Sequence, residues 1–283
     1  MKVRIIVDST ADVVSSIKSR LSVVPLTVSF GDEEYIDGVT INHRQFYEKL
    51  IESDVIPTTS QATPSAFEKI FAEVKEAGES AVVLTISSKL SGTYQSAMIA
   101  AEDYDNIYVV DTKSVAIGSG ILAELALQLA DSGMDAKSIA DTLCKERGNI
   151  CVVALLDTLE YLKRGGRISK TVAFAGGLLS IKPVVSLENG EIKLLGKARG
   201  SKQGNNLLVT EIEKAGGVDF RKPVLLGYTG LTDVLLQKYI EDSKTLWSVG
   251  ASELDYTPIG SVIGTHAGPG AIAAAFFKNV NNQ

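Results

Sequence analysis

The chain has 283 residues, 45% hydrophobic and 22% charged, the ordinary make-up of a globular protein with a sizeable core in one large domain or two. A formal charge of −6 argues against nucleic acid or an anionic membrane surface as the main partner. No apolar run approaches the ~18 residues of a membrane span, and the start, MKVRIIVDST, turns acidic too soon for a signal peptide; the expected location is the cytoplasm.

Strand and helix patterns alternate through the first half. Val3 to Val7 reads as a strand ending in Asp8-Ser9-Thr10, Ala11 to Arg20 as a helix, Val23 to Phe30 as a strand and Phe46 to Ile51 as a helix. A loop over 56–62 follows, and Thr63-Pro64 opens a helix through Ala77, with threonine as N-cap and proline at the first helical position. Ala81 to Ile86 is short, continuous and rich in Val and Ile, the pattern of a buried parallel strand. Tyr94 to Glu102 is helical, and Ile107 to Val110 is a strand ending in Asp111-Thr112-Lys113-Ser114. Ile121 to Ala130 and Ala136 to Glu146 read as helices, Cys151 to Leu156 as a strand. The strand ends IIVDST and YVVDTKS echo each other, as two helix caps or with one of them joining a ligand crevice.

The second half changes character. Asp157 to Ser180 is a helical stretch interrupted by Arg164-Gly165-Gly166-Arg167. Ile181 to Leu187 and Ile192 to Lys197 flank Asn189-Gly190, a strong hairpin signal. Asn205 to Ala215 (helix), Pro223 to Tyr228 (strand), Thr232 to Glu241 (helix), Ser261 to Ile263 (strand) and Ala271 to Phe277 (helix) complete the chain. The expected fold is α/β: a parallel-sheet α/β domain over 1–160 and an α+β domain with antiparallel strands over 161–283.

Between the strand Ala81 to Ile86 and its helix lies a turn rich in serine. In open α/β sheets such turns sit at the carboxyl ends of strands, where ligands bind. Free N–H groups at a helix start attract an anion, and Gly92 lets it come close. Ser87, Ser88, Ser91 and Thr93 add neutral donors, and Lys89 is the lone base, so the turn reads either as a plain serine-rich cap or as an anion site that suits one carboxylate better than a polyphosphate. Thr58-Thr59-Ser60-Gln61 is either a plain Ser/Thr loop or a second set of hydroxyls converging with Ser91. Arg164 reads as a helix C-terminus; Arg167 offers a guanidinium fork that matches carboxylates and phosphates. Arg199 lies in a basic stretch that meets an acidic partner or solvent. His266, between glycines past a strand, is a candidate for the site, whereas His43 reads as a surface or cap residue. Cys144 and Cys151 read as small buried apolar residues; with two histidines they match no zinc pattern, so no metal is expected. No nucleophile elbow, Walker A loop or dinucleotide fingerprint is present, and no catalytic residue is assigned.

Taken together, VDSTAD near the start, TSQ before a helix, SSKLSGTYQSA, VVDT, LEYLKRGGRIS, LLSIKPV and GTHAGPG closely resemble the bacterial DegV family, in the same order and at similar spacing, from about residue 3 to about residue 278. The family is similar to the fatty-acid-binding subunit of bacterial fatty acid kinase. The resemblance implies a carrier without cofactor that holds one long-chain fatty acid, its tail in an apolar tunnel between the two domains. It further implies that the carboxylate is presented to a separate ATP-dependent kinase subunit for conversion to acyl phosphate, feeding phospholipid synthesis, with transient membrane contact and no nucleic acid. By the same resemblance Thr59, with Ser60 beside it, and Ser91, with Gly92, hold the carboxylate together with His266. Arg167, Thr58 and Ser88 support the head group or the transfer, and Arg199 faces the kinase. Two other readings stay open: a serine-hydrolase-like enzyme using Ser91 and His266, and a regulatory interaction module without lipid.

Overall fold

The computed structural model describes residues 2–168, 181–248, 250 and 254–279. In the first half the elements are β1 (Val3–Asp8), α1 (Ser15–Lys18), β2 (Ser22–Val24), β3 (Thr27–Phe30), β4 (Glu33–Ile36), α2 (His43–Glu52), β5 (Thr58–Ser60), α3 (Pro64–Glu76), β6 (Ser80–Thr85), α4 (Thr93–Ala101), β7 (Ile107–Asp111), α5 (Ile117–Asp131) and α6 (Ala136–Glu146). Then come β8 (Ile150–Leu155), α7 (Glu160–Arg164), β9 (Ile181–Glu188), β10 (Glu191–Arg199), α8 (Gly200–Lys214), β11 (Leu225–Tyr228), α9 (Val234–Asp242), α10 (Lys244–Trp247), β12 (Tyr256–Pro258), α11 (Ser261–Ala267) and β13 (Ile272–Phe277).

Among the described residues the strands form three sheets. The first, ordered β2-β1-β6-β7, is parallel throughout. Its strands bury both faces: Ile5 and Val7 of β1, with Val82 and Leu84 of β6, pack into one core cluster. Ile6, Ala81 and Val83 pack into another with the aromatic rings of α2 and α3. That is why these runs are nearly continuous in apolar character. The second sheet, ordered β10-β9-β8-β13-β11-β12, is antiparallel except for the β11–β12 pair. A small antiparallel sheet, β4-β3-β5, completes the set. The α/β architecture with a parallel sheet and a mixed, mainly antiparallel one therefore holds. Strand β8 precedes residue 161 yet is hydrogen-bonded into the second sheet through β9 and β13.

Several local expectations give way to tertiary structure. The segment expected as one strand from Val23 to Phe30 is two strands in different sheets, broken beside Pro25, which has no N–H to give to a ladder. The helix expected over Ala11 to Arg20 shrinks to α1. Residues 11–14 are held instead by tertiary bonds: Asp12 N donates to Ala116 O (3.3 Å) and Thr257 Oγ1 to Val13 O (3.0 Å). The loop expected over 56–62 contains β5, with Thr59 opposite Val28 of β3.

The largest reversal is at the end of the chain. Ser261–Ala267 is the helix and Ile272–Phe277 the strand, the opposite of the sequence pattern. All six residues of β13 are buried, with Ile272, Ala274 and Phe276 in one cluster and Ala273, Ala275 and Phe277 in the other. A short run apolar on both faces does not distinguish a buried strand from a buried helix. Here the ladders to β8 and β11 outweigh the helix propensity of alanine. His43 opens α2, whose cap is Asn42, and its ring packs 4.7 Å from that of Tyr47. Cys144 is exposed on α6, contrary to the expectation of burial, while Cys151 is buried and its thiol pushed up to about 11 by desolvation. Residues 169–180, part of the expected helical stretch, lie outside the described residues.

Candidate functional site

Strands of the second sheet and β5 of the small sheet, with α5, α7, α11 and the turn past β6, enclose a cavity of about 390 Å3, within the range of small-molecule sites. The space has a simple origin in side-chain size. On β8 and β13 alternate residues face the cavity: Val152 and Ala154 on one strand, Ala271 and Ala273 at the start of the other. Ala154 and Ala273 lie directly opposite each other in register, so two methyl groups stand where larger side chains would close the gap. Further wall comes from the β9–β10 hairpin, where the opposed pair Leu187 and Ile192 faces in. Asn189 (φ 52°) and Gly190 (φ 86°) make the two-residue turn with both φ angles positive. Its tip reaches the serine turn: Ser87 Oγ donates to Gly190 O at 2.7 Å.

Four elements bring polar groups to one cavity. Thr59 and Ser60 come from β5, Ser91 and Gly92 from the turn before α4, Arg167 from the turn after α7, and His266 from the last turn of α11. Ser91 Oγ lies 2.9 Å from Thr93 Oγ1 and accepts from Thr93 N (3.3 Å). Thr93 Oγ1 in turn accepts from Ala62 N (3.4 Å), and Gln61 Nε2 donates to Ser96 Oγ (2.9 Å). These bonds tie β5 to the start of α4 and so set the spacing of Thr59 from Ser91.

His266 Nε2 lies 2.9 Å from Thr59 Oγ1. Its Nδ1 is buried without a partner among the described residues, and the Gly165 backbone packs so closely on the ring that a side chain there would collide with it. The first glycine of Arg164-Gly165-Gly166-Arg167 is thus a contact requirement, not a flexible spacer. Burial, with the charge of Arg167 adding to it, lowers the imidazole to about 4, so the ring is neutral near pH 7. Arg167 is anchored by donating Nε to Leu90 O (3.2 Å) and Nη1 to Gly165 O (2.6 Å). It therefore holds a fixed positive charge on the turn that carries Ser91.

Not every expected residue joins them. Thr58 is exposed and outside the cavity, and Ser88 turns away from it, donating Oγ to Asp111 Oδ2 at 2.7 Å. Neither is placed to support the head group. Arg199 is exposed at the start of α8, with its amide on Gln203 Oε1 (3.1 Å), outside the cavity lining. Neither Asp8 nor Asp111 caps the described helix that follows it, whose N-cap positions are Val14 and Ala116. Gln61 lines the cavity without having been singled out from its hydroxyl run, as do the alanines of β8 and β13. Among the described residues no group of three or more His, Cys, Asp or Glu could hold a metal ion, and no helix is long and apolar enough to cross a membrane.

Comparison with known proteins agrees with this architecture. A family model described as "Uncharacterised protein, DegV family" matches residues 2–279. A DegV domain-containing protein of Caldanaerobacter subterraneus subsp. tengcongensis is 34% identical over 286 residues, 98% of this chain and 99% of that protein. A DegV family protein of Thermus thermophilus, solved for its fatty acid binding, superposes with a TM-score of 0.87 at 30% identity, covering 98% of this chain and all of that one (100%). The Streptococcus pneumoniae fatty acid kinase B3 protein, loaded with linoleic acid, shares the fold with a TM-score of 0.85 at 24% identity, over 99% of this chain and 100% of that one. On fold, motif order and sequence over its length, the chain belongs to the DegV family.

Proposed function

We propose that this chain is a carrier and not a catalyst. It holds one long-chain fatty acid and offers the carboxylate to a separate ATP-dependent kinase subunit, which makes the acyl phosphate used in phospholipid synthesis. The observation that carries this reading is the cavity itself, an aliphatic space of about 390 Å3 to which hydroxyls, an imidazole and a guanidinium are brought. The fatty acid binding of the Thermus thermophilus relative supports it.

In this reading Thr59 and Ser91 bind the carboxylate, with Ser60 and Gly92 alongside. A proton on His266 Nε2 is donated to Thr59 Oγ1, which frees the threonine hydroxyl proton for the ligand. Neutral donors hold a carboxylate while leaving an oxygen able to attack a phosphoryl group, and Arg167 carries charge that develops there. The two halves share the work: Thr59 and Ser91 come from 1–160, Arg167 and His266 from 161–283. Arg199, exposed and clear of the cavity, is the residue assigned to the kinase face. The hydrolase alternative finds no support in the geometry. Among the described residues Ser91 and His266 share no hydrogen bond, and His266 Nδ1 has no acid to orient it.

Native mass spectrometry of purified protein is the test, with one co-purified fatty acid per chain expected. Protein that carries none and takes up none on titration refutes the reading. Ser91→Ala removes a hydrogen bond to a charged group, about 1.5–3 kcal/mol, and is expected to weaken binding ten- to a hundredfold without loss of fold.

A further inference from the structure

The two echoing strand ends, Asp8-Ser9-Thr10 and Asp111-Thr112-Lys113, have no part in the carrier reading so far. In the order β2-β1-β6-β7 they flank the strand that runs into the serine turn. Each sends a carboxylate to that turn. Asp8, 1% exposed, accepts from Ile86 N at 2.7 Å with Oδ2, and its Oδ1 accepts from Thr10 N (2.9 Å) and Thr10 Oγ1. Asp111 accepts from Ser88 N (3.2 Å) and Lys113 N (2.9 Å) with Oδ1, and from Ser88 Oγ (2.7 Å) with Oδ2. The rest of the turn closes on Ser87: its amide donates to Ser114 O, its carbonyl accepts from Leu90 N and Ser91 N, and its hydroxyl accepts from Lys89 N. From Ile86 to Thr93, each amide but that of Gly92 has an acceptor among the described residues.

We propose that Asp8 and Asp111 are positioning residues, which brace the turn bearing Ser91 from the two neighbouring strand ends and leave the Gly92 amide as its open donor. The proposal rests on the carrier reading. It explains why an acid stands at both strand ends although neither touches the cavity. Two fixed acceptors take the amides that would otherwise let the turn re-form around another hydrogen-bond pattern. What remains directed at the ligand is then the Ser91 hydroxyl and the Gly92 N–H.

The two acids differ in what an asparagine can replace. At Asp111 an asparagine oxygen still accepts from Ser88 N and Lys113 N, and its NH2 donates to the Ser88 hydroxyl, which reverses its role. At Asp8 both oxygens already take donors, so an NH2 faces either the Ile86 amide or those of Thr10. The test therefore compares Asp8→Asn, Asp111→Asn and Asp111→Ala by hydrogen exchange of residues 86–92 without ligand, and by affinity for hexadecanoic acid against hexadecanol. Asp8→Asn and Asp111→Ala are expected to speed exchange of the turn at least severalfold. They are expected to lose about tenfold in affinity for the acid, with alcohol affinity unchanged. Asp111→Asn is expected to match the wild type in both measurements. Asp111 lies on the edge strand β7, so its variants carry the test if Asp8→Asn does not fold. Unchanged exchange of the turn, equal losses for acid and alcohol, or Asp111→Asn as weak as Asp111→Ala overturns the assignment. Wild-type protein that binds neither ligand overturns the carrier reading alone, because exchange of the turn still decides whether the two acids brace it.

Discussion

The polar groups of the cavity and its aliphatic wall are built in different ways. The polar groups come from short local stretches: a two-residue hydroxyl step on β5, a turn after β6, a glycine turn after α7, the last turn of α11. Much of the wall comes from Val152 and Ala154 of β8, Ala271 and Ala273 at the start of β13 and the hairpin pair Leu187 and Ile192, brought together by cross-strand register. Their energetics differ as well. Each methylene buried against the wall contributes about 0.8 kcal/mol, so the wall scales with the ligand. For a bound carboxylate the polar groups would contribute a fixed amount, about 1.5–3 kcal/mol per hydrogen bond. On the carrier reading, affinity is therefore expected to be set mainly by the wall, and the direction in which the ligand lies by the polar groups.

The widest separation of the two comes from the ligand. Shortening a saturated acid by eight carbons removes about 6.4 kcal/mol of apolar burial, roughly 40,000-fold in affinity, while the head-group contacts are expected to stay the same. A calorimetric series over chain length is expected to show this slope. A flat series would mean that binding is governed by the polar groups.

Acid pH acts on the other side of the comparison. The His266 imidazole is lowered by burial to about 4 from an ordinary 6.5, so the folded state favours the neutral ring. Its contribution to stability is complete above pH 6.5 and is lost as pH falls through 4, up to about 3 kcal/mol in all. Asp8, Asp12 and Asp37 run in the opposite sense. Burial raises all three above 3.8, so their contribution is present in acid and lost as pH rises through the folded values. The raw pH profile mixes both effects, and the difference between wild type and His266→Asn isolates the histidine. That difference is expected to vanish toward pH 4. A constant difference from pH 7 to pH 4 would show that the ring is not held neutral.

Filling the wall is the next step down. Ala273→Leu adds three heavy atoms opposite Ala154 and displaces about three methylenes of the ligand, roughly 2.4 kcal/mol or 50-fold in affinity. The added side chain enters the cavity and not the packed cluster on the far face, so the melting temperature is expected to hold or rise. Tight binding of the same acids by Ala273→Leu would place the tail elsewhere.

How much of this could be read from the sequence follows the same division. Ser91, Thr59 and His266 are visible because hydroxyls, glycine turns and a histidine stand out in a short window, and the family resemblance assembles them. The capped helix α3 is also visible, since Thr63 and Pro64 mark its start. The wall is not. Ala154 and Ala273 are unremarkable residues whose meaning lies in cross-strand register, which no local pattern records. The reversal of α11 and β13 has the same cause, because an alanine-rich run becomes a strand only through its partners β8 and β11. The contacts of Asp8 and Asp111 are half legible: the echo of the two strand ends is in the sequence, but the Ile86 and Ser88 amides that they accept from lie in the turn after a third strand.

The smallest expected effect lies outside the cavity altogether. Arg199 is exposed, as are Lys197 and Lys202 beside it, on a chain of formal charge −6. Charges of this kind at an interface rim act mainly on the rate of encounter with an acidic partner surface and little on the affinity of a buried ligand. Arg199→Ala is therefore expected to keep fatty acid affinity within about twofold, and to slow acyl phosphate formation severalfold at low salt when an ATP-dependent kinase subunit is supplied. The difference from wild type is expected to shrink as ionic strength rises, because added salt screens exposed charges beyond about 10 Å at 0.1 M. Loss of the lipid from Arg199→Ala would instead place this arginine with the wall and polar groups of the cavity. An unchanged rate at every salt concentration would remove it from the kinase face.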